Sequence, residues 1–84
     1  MDNNNEKNTK TIGSVIKAIE ILEELAESEK GLGLTEISNS LNYGVSATYH
    51  LLNTLKLHNI IEQNKKNKKY RIGVGLFRIS SKAK

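Results

Sequence analysis

The chain has 84 residues, no cysteine and a formal net charge of +4, which bounds it to one small domain without a disulfide framework or thiolate metal site. Its two histidines, His50 and His58, are too few for a metal cluster, and no apolar run approaches the roughly 18 residues of a membrane span. The polar start MDNNNEKNTKT lacks the apolar stretch of a secretory signal, so a soluble cytoplasmic protein with no cofactor is expected.

The charge is unevenly placed. Residues 1 to 55 hold four Lys against eight Asp and Glu, whereas residues 56 to 84 hold nine Lys and Arg against Glu62 alone. A basic C-terminal third suits a polyanion, either nucleic acid or an anionic membrane surface.

Residues 1–11 read as a disordered polar tail. Ser14 is then placed to cap a helix running from Val15 to about Glu27. Val15, Ala18, Ile19, Ile21, Leu22, Leu25 and Ala26 recur at helical spacing and occupy an arc of about 160°, opposite Lys17, Glu20, Glu24 and Glu27. Ile16 falls outside that arc and Ile12 extends its side. The two form either a strip for a partner, expected to be a second copy, or ordinary exposed isoleucines.

The glycines of KGLGLT end this helix, and Thr35 offers its hydroxyl as the next N-cap. A short helix from Glu36 to Leu41 should follow, with Ile37 and Leu41 on one face. In the turn NYG, Asn42 can take a left-handed conformation. The spacing predicts another helix from Val45 to about Leu57. Thr48, Leu51, Leu52 and Leu55 face inward, and Ser46, Tyr49, His50 and Asn53 face outward. Asn59 is placed to end it. A strand at 60–63, a lysine-rich turn and a strand at 70–72 form a hairpin. A last helix from Gly75 to about Ser80 presents Leu76, Phe77 and Ile79.

Two helices joined by a short turn match a helix-turn-helix, and residues 45–57 contain no Asp or Glu to repel phosphate. Ser46 and Asn53 can bond phosphate or base edges, Tyr49 can donate its hydroxyl, and His50 can donate to an acceptor. The hairpin that follows is then a wing. Lys65, Lys66, Lys68 and Lys69 repel one another in isolation, and phosphates would supply the missing counter-charge. The expected class is mainly α with a small β-hairpin: a winged helix-turn-helix with a three-helix core over residues 12–74, and the start of a C-terminal linker helix over 75–84.

The segments SVIKAIEILEELAE, LTEISNSLNYGVSATYHLLNTLKLHNII and KYRIGVGLFRIS resemble the N-terminal DNA-binding domain of IclR-type transcriptional regulators, over residues 12 to 80. The resemblance implies a dimeric regulator that contacts double-stranded DNA with its recognition helix and wing. The expected contact set is Thr35, Val45, Ser46, Ala47, Tyr49, His50, Asn53, Lys65, Lys66, Lys68 and Lys69, and the expected dimer contacts are Ile12 and Ile16. Where the family often carries basic residues around the Ser-Thr stretch and after the His, this chain has Val45 and His50, which shifts affinity toward the wing. A small-molecule effector is expected only if a C-terminal domain is missing from this chain.

No nucleophile triad, phosphate-binding glycine loop or metal spacing suggests an enzyme. The rival reading is a winged helix used for protein interaction, binding through the Ile12/Ile16 strip and the outward helix face. Membrane binding by the lysines is weaker, for want of bulky apolar anchors beside them.

Overall fold

The computed structural model of the protein describes residues 10–83, so most of the expected polar tail lies outside the described residues. The order of elements is α1 (Gly13–Glu27), α2 (Leu34–Leu41), α3 (Val45–Leu57), β1 (Ile61–Gln63), β2 (Tyr70–Ile72) and α4 (Val74–Ser81). The strands pair antiparallel with Ile61 opposite Ile72, Glu62 opposite Arg71 and Gln63 opposite Tyr70. Their side chains alternate as a one-sided hairpin requires: Ile61 and Tyr70 are buried, whereas Glu62 and Arg71 face solvent. Leu32 forms an isolated antiparallel bridge to Tyr70, with mutual backbone bonds of 3.0 and 2.8 Å. That approach requires glycine beside it. Gly31 has φ +87°, and a Cβ there would lie 2.8 Å from the Tyr70 carbonyl oxygen.

The core consists of Ile21 and Leu25 from α1, Ile37 from α2, Leu52 from α3, Ile61 from β1 and Tyr70 from β2. Each fully buried aliphatic side chain contributes about 1.5–3 kcal/mol of transfer free energy, so five elements are held by a few side chains meeting at one point. From α4 only Gly75 is buried. Among the described residues no helix is long and apolar enough to cross a membrane.

Three expectations need correction. Ser14 does not cap α1: the helix starts at Gly13 after Ile12, whose carbonyl accepts the amides of Val15 and Ile16 at 3.1 Å. Thr35 does not cap α2 either. The helix begins at Leu34, and the Glu36 carboxylate accepts the Gly33 N–H at 2.8 Å, which satisfies an end donor from inside the first turn. Finally, Val15 and Ile19 do not face the core; they are 53% and 51% exposed, in line with Ile12 at 67% and Ile16 at 42%. Residues 12, 15, 16 and 19 form one stripe of a helix, and only the C-terminal half of α1 reaches the core.

Burial pushes the Tyr70 phenol above its ordinary value of 10.0, and neighbouring Tyr49 pushes the same way. Below about pH 10 this group is neutral in both folded and unfolded chains, and its contribution to stability is complete. As pH rises further the unfolded chain ionises first, so stability falls. The urea midpoint is expected to drop above about pH 10, and to drop less in Tyr70→Phe; equal slopes in the two proteins would assign the loss to other groups.

Candidate nucleic-acid interface

Between α2 and α3 lie Asn42, Tyr43 and Gly44. Asn42 takes the left-handed conformation with φ 51°, the Tyr43 amide donates to the Ser38 carbonyl at 3.0 Å, and the Ser38 hydroxyl donates to the Tyr43 carbonyl. These bonds close the turn and fix the direction in which α3 leaves it. Lys17 holds the same corner from α1, donating to the Leu41 carbonyl at 3.3 Å and lying 5.5 Å from the Tyr43 ring centre. An ammonium at the C-terminal end of a helix is favourably placed against its dipole.

Thr48 and Leu52 seat α3 in the core. Among the described residues, Thr48 Oγ1 is the buried side-chain polar atom left without a partner. The rest of the helix surface is more open: Ser46, Tyr49 and His50 are exposed and Asn53 is half-buried, and Val45, flanking the buried side in the first turn, is exposed as well. Tyr49 and His50 stand together, their ring centres 6.0 Å apart and tilted by 57°. Helical rotation puts Val45, Tyr49 and Lys56 along one edge, with Ser46, Asn53 and His50 beside them. Ala47 is half-buried and lies about 160° around the helix from Tyr49, apart from this group. Thr35 is exposed in the first turn of α2, on a different helix from the others.

The wing is built by amides. Asn64 Oδ1 accepts the amides of Lys66 at 2.8 Å and Asn67 at 3.1 Å, and Asn67 Oδ1 accepts that of Lys69 at 2.9 Å. Asn64 and Lys69 close the turn through the backbone at 2.9 Å. Lys68, with φ 66°, reverses the chain. The result is a turn whose shape does not depend on its lysines. Lys65, Lys66 and Lys68 are exposed, and Lys69 is half-buried. Glu62 and Arg71 pair across the hairpin at 3.9 Å, both more than half exposed, which contributes little.

Apart from Glu62, which Arg71 pairs, the acidic residues among the described residues lie off the hairpin and α3, and four of them gather at one place. Glu20, Glu23, Glu24 and Glu27 surround Leu41 at the crossing of α1 and α2. A carboxylate-free α3 therefore adjoins a cationic turn, and the electrostatic gradient across the domain favours an anion at that side.

Sequence reasoning missed Lys56, Gln63, Asn64 and Asn67. Lys56 carried a signal, as the lone lysine of α3; the three amides carried none, because their partners are fixed by the hairpin.

A helix-turn-helix followed by a rigid cationic hairpin defines a winged helix-turn-helix domain. The chain belongs to the IclR helix-turn-helix domain family: the family pattern matches residues 14–65. It is 42% identical over 65 residues to the HTH-type transcriptional regulator XynR of Escherichia coli (strain K12), covering 77% of this chain and 26% of that protein. It is 32% identical over 78 residues to the HTH-type transcriptional regulator KdgR of Dickeya chrysanthemi, covering 93% and 25% of the two. An IclR family transcriptional regulator from Brucella abortus shares the fold with a TM-score of 0.79 at 18% identity, over 96% of this chain and 31% of that one. The chain spans about a quarter of the length of these curated relatives.

Proposed function

We propose that the chain reads double-stranded DNA with the open face of α3 in the major groove and the lysine turn along the flanking phosphates, as the DNA-binding part of a cytoplasmic transcriptional regulator. The observation that carries this reading is the juxtaposition of an acid-free exposed helix face with a cationic turn whose shape is fixed independently of its charges. Tyr49, His50, Ser46 and Asn53 are the base readers, with Val45 offering apolar contact to thymine methyls, whereas Ala47, turned away from Tyr49, is not among them. Thr35 and the lysines engage the backbone.

Binding-site selection on random duplexes tests the assignment. Tyr49→Ala and His50→Ala are each expected to change the preferred sequence and to cost about 1–3 kcal/mol for every good base interaction removed. Selection of the parental sequence with parental affinity by both variants would remove α3 as the reader. Binding of a protein partner with no salt-dependent affinity for duplex DNA would favour the interaction-module reading instead.

The domain acts as a homodimer in this proposal. Ile12, Val15, Ile16 and Ile19 present an apolar stripe on the half of α1 that stands clear of the core, and two-fold dimers suit inverted half-sites. Ile16→Glu and Ile19→Glu are expected to shift sedimentation toward the monomer while circular dichroism stays unchanged. A parental chain that is monomeric at high concentration, both free and on DNA, would exclude this assembly.

A further inference from the structure

Recognition helix and wing are joined by more than the core. Near the end of α3, Lys56 Nζ donates to Gln63 Oε1 at 3.0 Å. Gln63 Nε2 donates in turn to the carbonyl oxygen of Lys68 at 3.0 Å. Lys68 is the residue of the lysine turn with positive φ, and its own amide donates to the Asn64 carbonyl at 2.9 Å. One side chain, from the last residue of β1, therefore spans from the helix to the point at which the turn reverses.

The chemistry of these two bonds selects glutamine. The reversed amide would set its NH2 against an ammonium and its oxygen against a carbonyl, so the orientation is fixed. A glutamate at this position could accept from Lys56 but could not donate to Lys68, and a lysine could donate but not accept. A glutamine side chain does both.

We propose that Gln63, supported by Lys56, is a positioning residue that sets the angle between wing and α3, and so decides which phosphates Lys65, Lys66 and Lys68 reach while α3 occupies the groove. This rests on the DNA-binding reading above. On a preferred sequence the base interactions of α3 fix the register of the protein, and the lysines must meet particular phosphates. On an arbitrary duplex no register is imposed, and lysines on a loose wing find phosphates equally well. Loosening the wing should therefore weaken discrimination more than general affinity.

The test uses the 84-residue chain with Gln63→Met, which preserves length but removes both bonds, Lys56→Met, and the double variant. Each is titrated with a duplex selected by the parental chain and with a scrambled duplex of equal length. Backbone relaxation of residues 65–69 is measured without DNA. Gln63→Met is expected to lower order parameters in the turn and to weaken the selected duplex about three- to tenfold, the scrambled one less than about twofold. Lys56→Met loses a charge and weakens both duplexes, but the double variant should discriminate no worse than Gln63→Met alone. Unchanged relaxation in Gln63→Met would overturn the strut whatever happens on DNA. A mobile turn with parental discrimination, or equal losses on both duplexes, would overturn its role in register. A parental chain with no preference and no salt-dependent duplex affinity would refute the DNA-binding reading itself, while the relaxation data would still decide whether Gln63 holds the wing.

Discussion

Replacing Lys65, Lys66, Lys68 and Lys69 together with alanine is expected to weaken preferred and arbitrary duplexes by similar factors and to make the salt dependence shallower. Lysine presents a hydrated point charge on a flexible stem, suited to attraction by phosphate and poorly suited to bidentate base reading. Each phosphate that is no longer neutralised takes about 0.9 from the slope of log affinity against log salt, and a fall of about one to three units is expected because not all four ammonium groups need engage. The half-buried Lys69 is the weakest candidate of the set. Folding should survive, since the turn is held by Asn64, Asn67 and Gln63, none of which is changed, and like-charge repulsion is relieved. A folded variant with the parental slope would rule out the backbone role; weakening confined to the preferred duplex would make the wing a sequence reader.

The division between what the sequence discloses and what it conceals follows the range of the forces involved. The bounds of α3 at Val45 and Leu57 were legible because both are local: the turn residues end one helix, Asn42 accepts the left-handed conformation, and the apolar period resumes at once. The strand at 70–72 was legible from its alternation. The starts of α1 and α2 were not, because capping is a competition among neighbours. Ser14 and Thr35 have the preferred chemistry for a cap, yet Ile12 and Gly33 occupy those positions, and Glu36 supplies the acceptor from the third helical residue.

The misplacement of Val15 and Ile19 has a different cause. A periodicity argument assigns every apolar residue of an arc to the interior, but the interior here holds six fully buried apolar side chains drawn from five elements. That volume accepts Ile21 and Leu25 and leaves the first two turns of α1 uncovered. The candidate reading face was legible as a set of residue types on α3. Its mechanical connection through Lys56, Gln63 and Lys68 was not, because nothing in the chain indicates that the end of α3 returns beside the wing.

Alanine at Gly73 or Gly75 should have the largest effect on folding, and the two sites should fail differently. A Cβ on Gly73 would lie 2.6 Å from the Asn59 carbonyl oxygen and 3.0 Å from the Ile61 carbonyl carbon. Both are backbone atoms, so a rotamer change cannot relieve the clash. Ile61 belongs to the core, and Gly73 donates its amide to the Ile60 carbonyl at 2.8 Å. Gly73→Ala must therefore spread the hairpin against α3, at a cost of about 1–3 kcal/mol or somewhat more. A domain of this size has roughly 4–12 kcal/mol of stability in all. Gly75→Ala meets the Asn59 carbonyl oxygen at 2.6 Å and the His58 carbonyl oxygen at 2.9 Å, but α4 adds no apolar side chain to the buried core. The cheaper response is for α4 to lift away and break the 2.7 Å bond from the Gly75 amide to Asn59. Hydrogen exchange is expected to separate the cases: Gly73→Ala lowers protection throughout, whereas Gly75→Ala lowers it along residues 74–81 and leaves the Leu52 region protected. Uniform loss in both variants would mean that α4 and the three-helix core unfold as one cooperative unit.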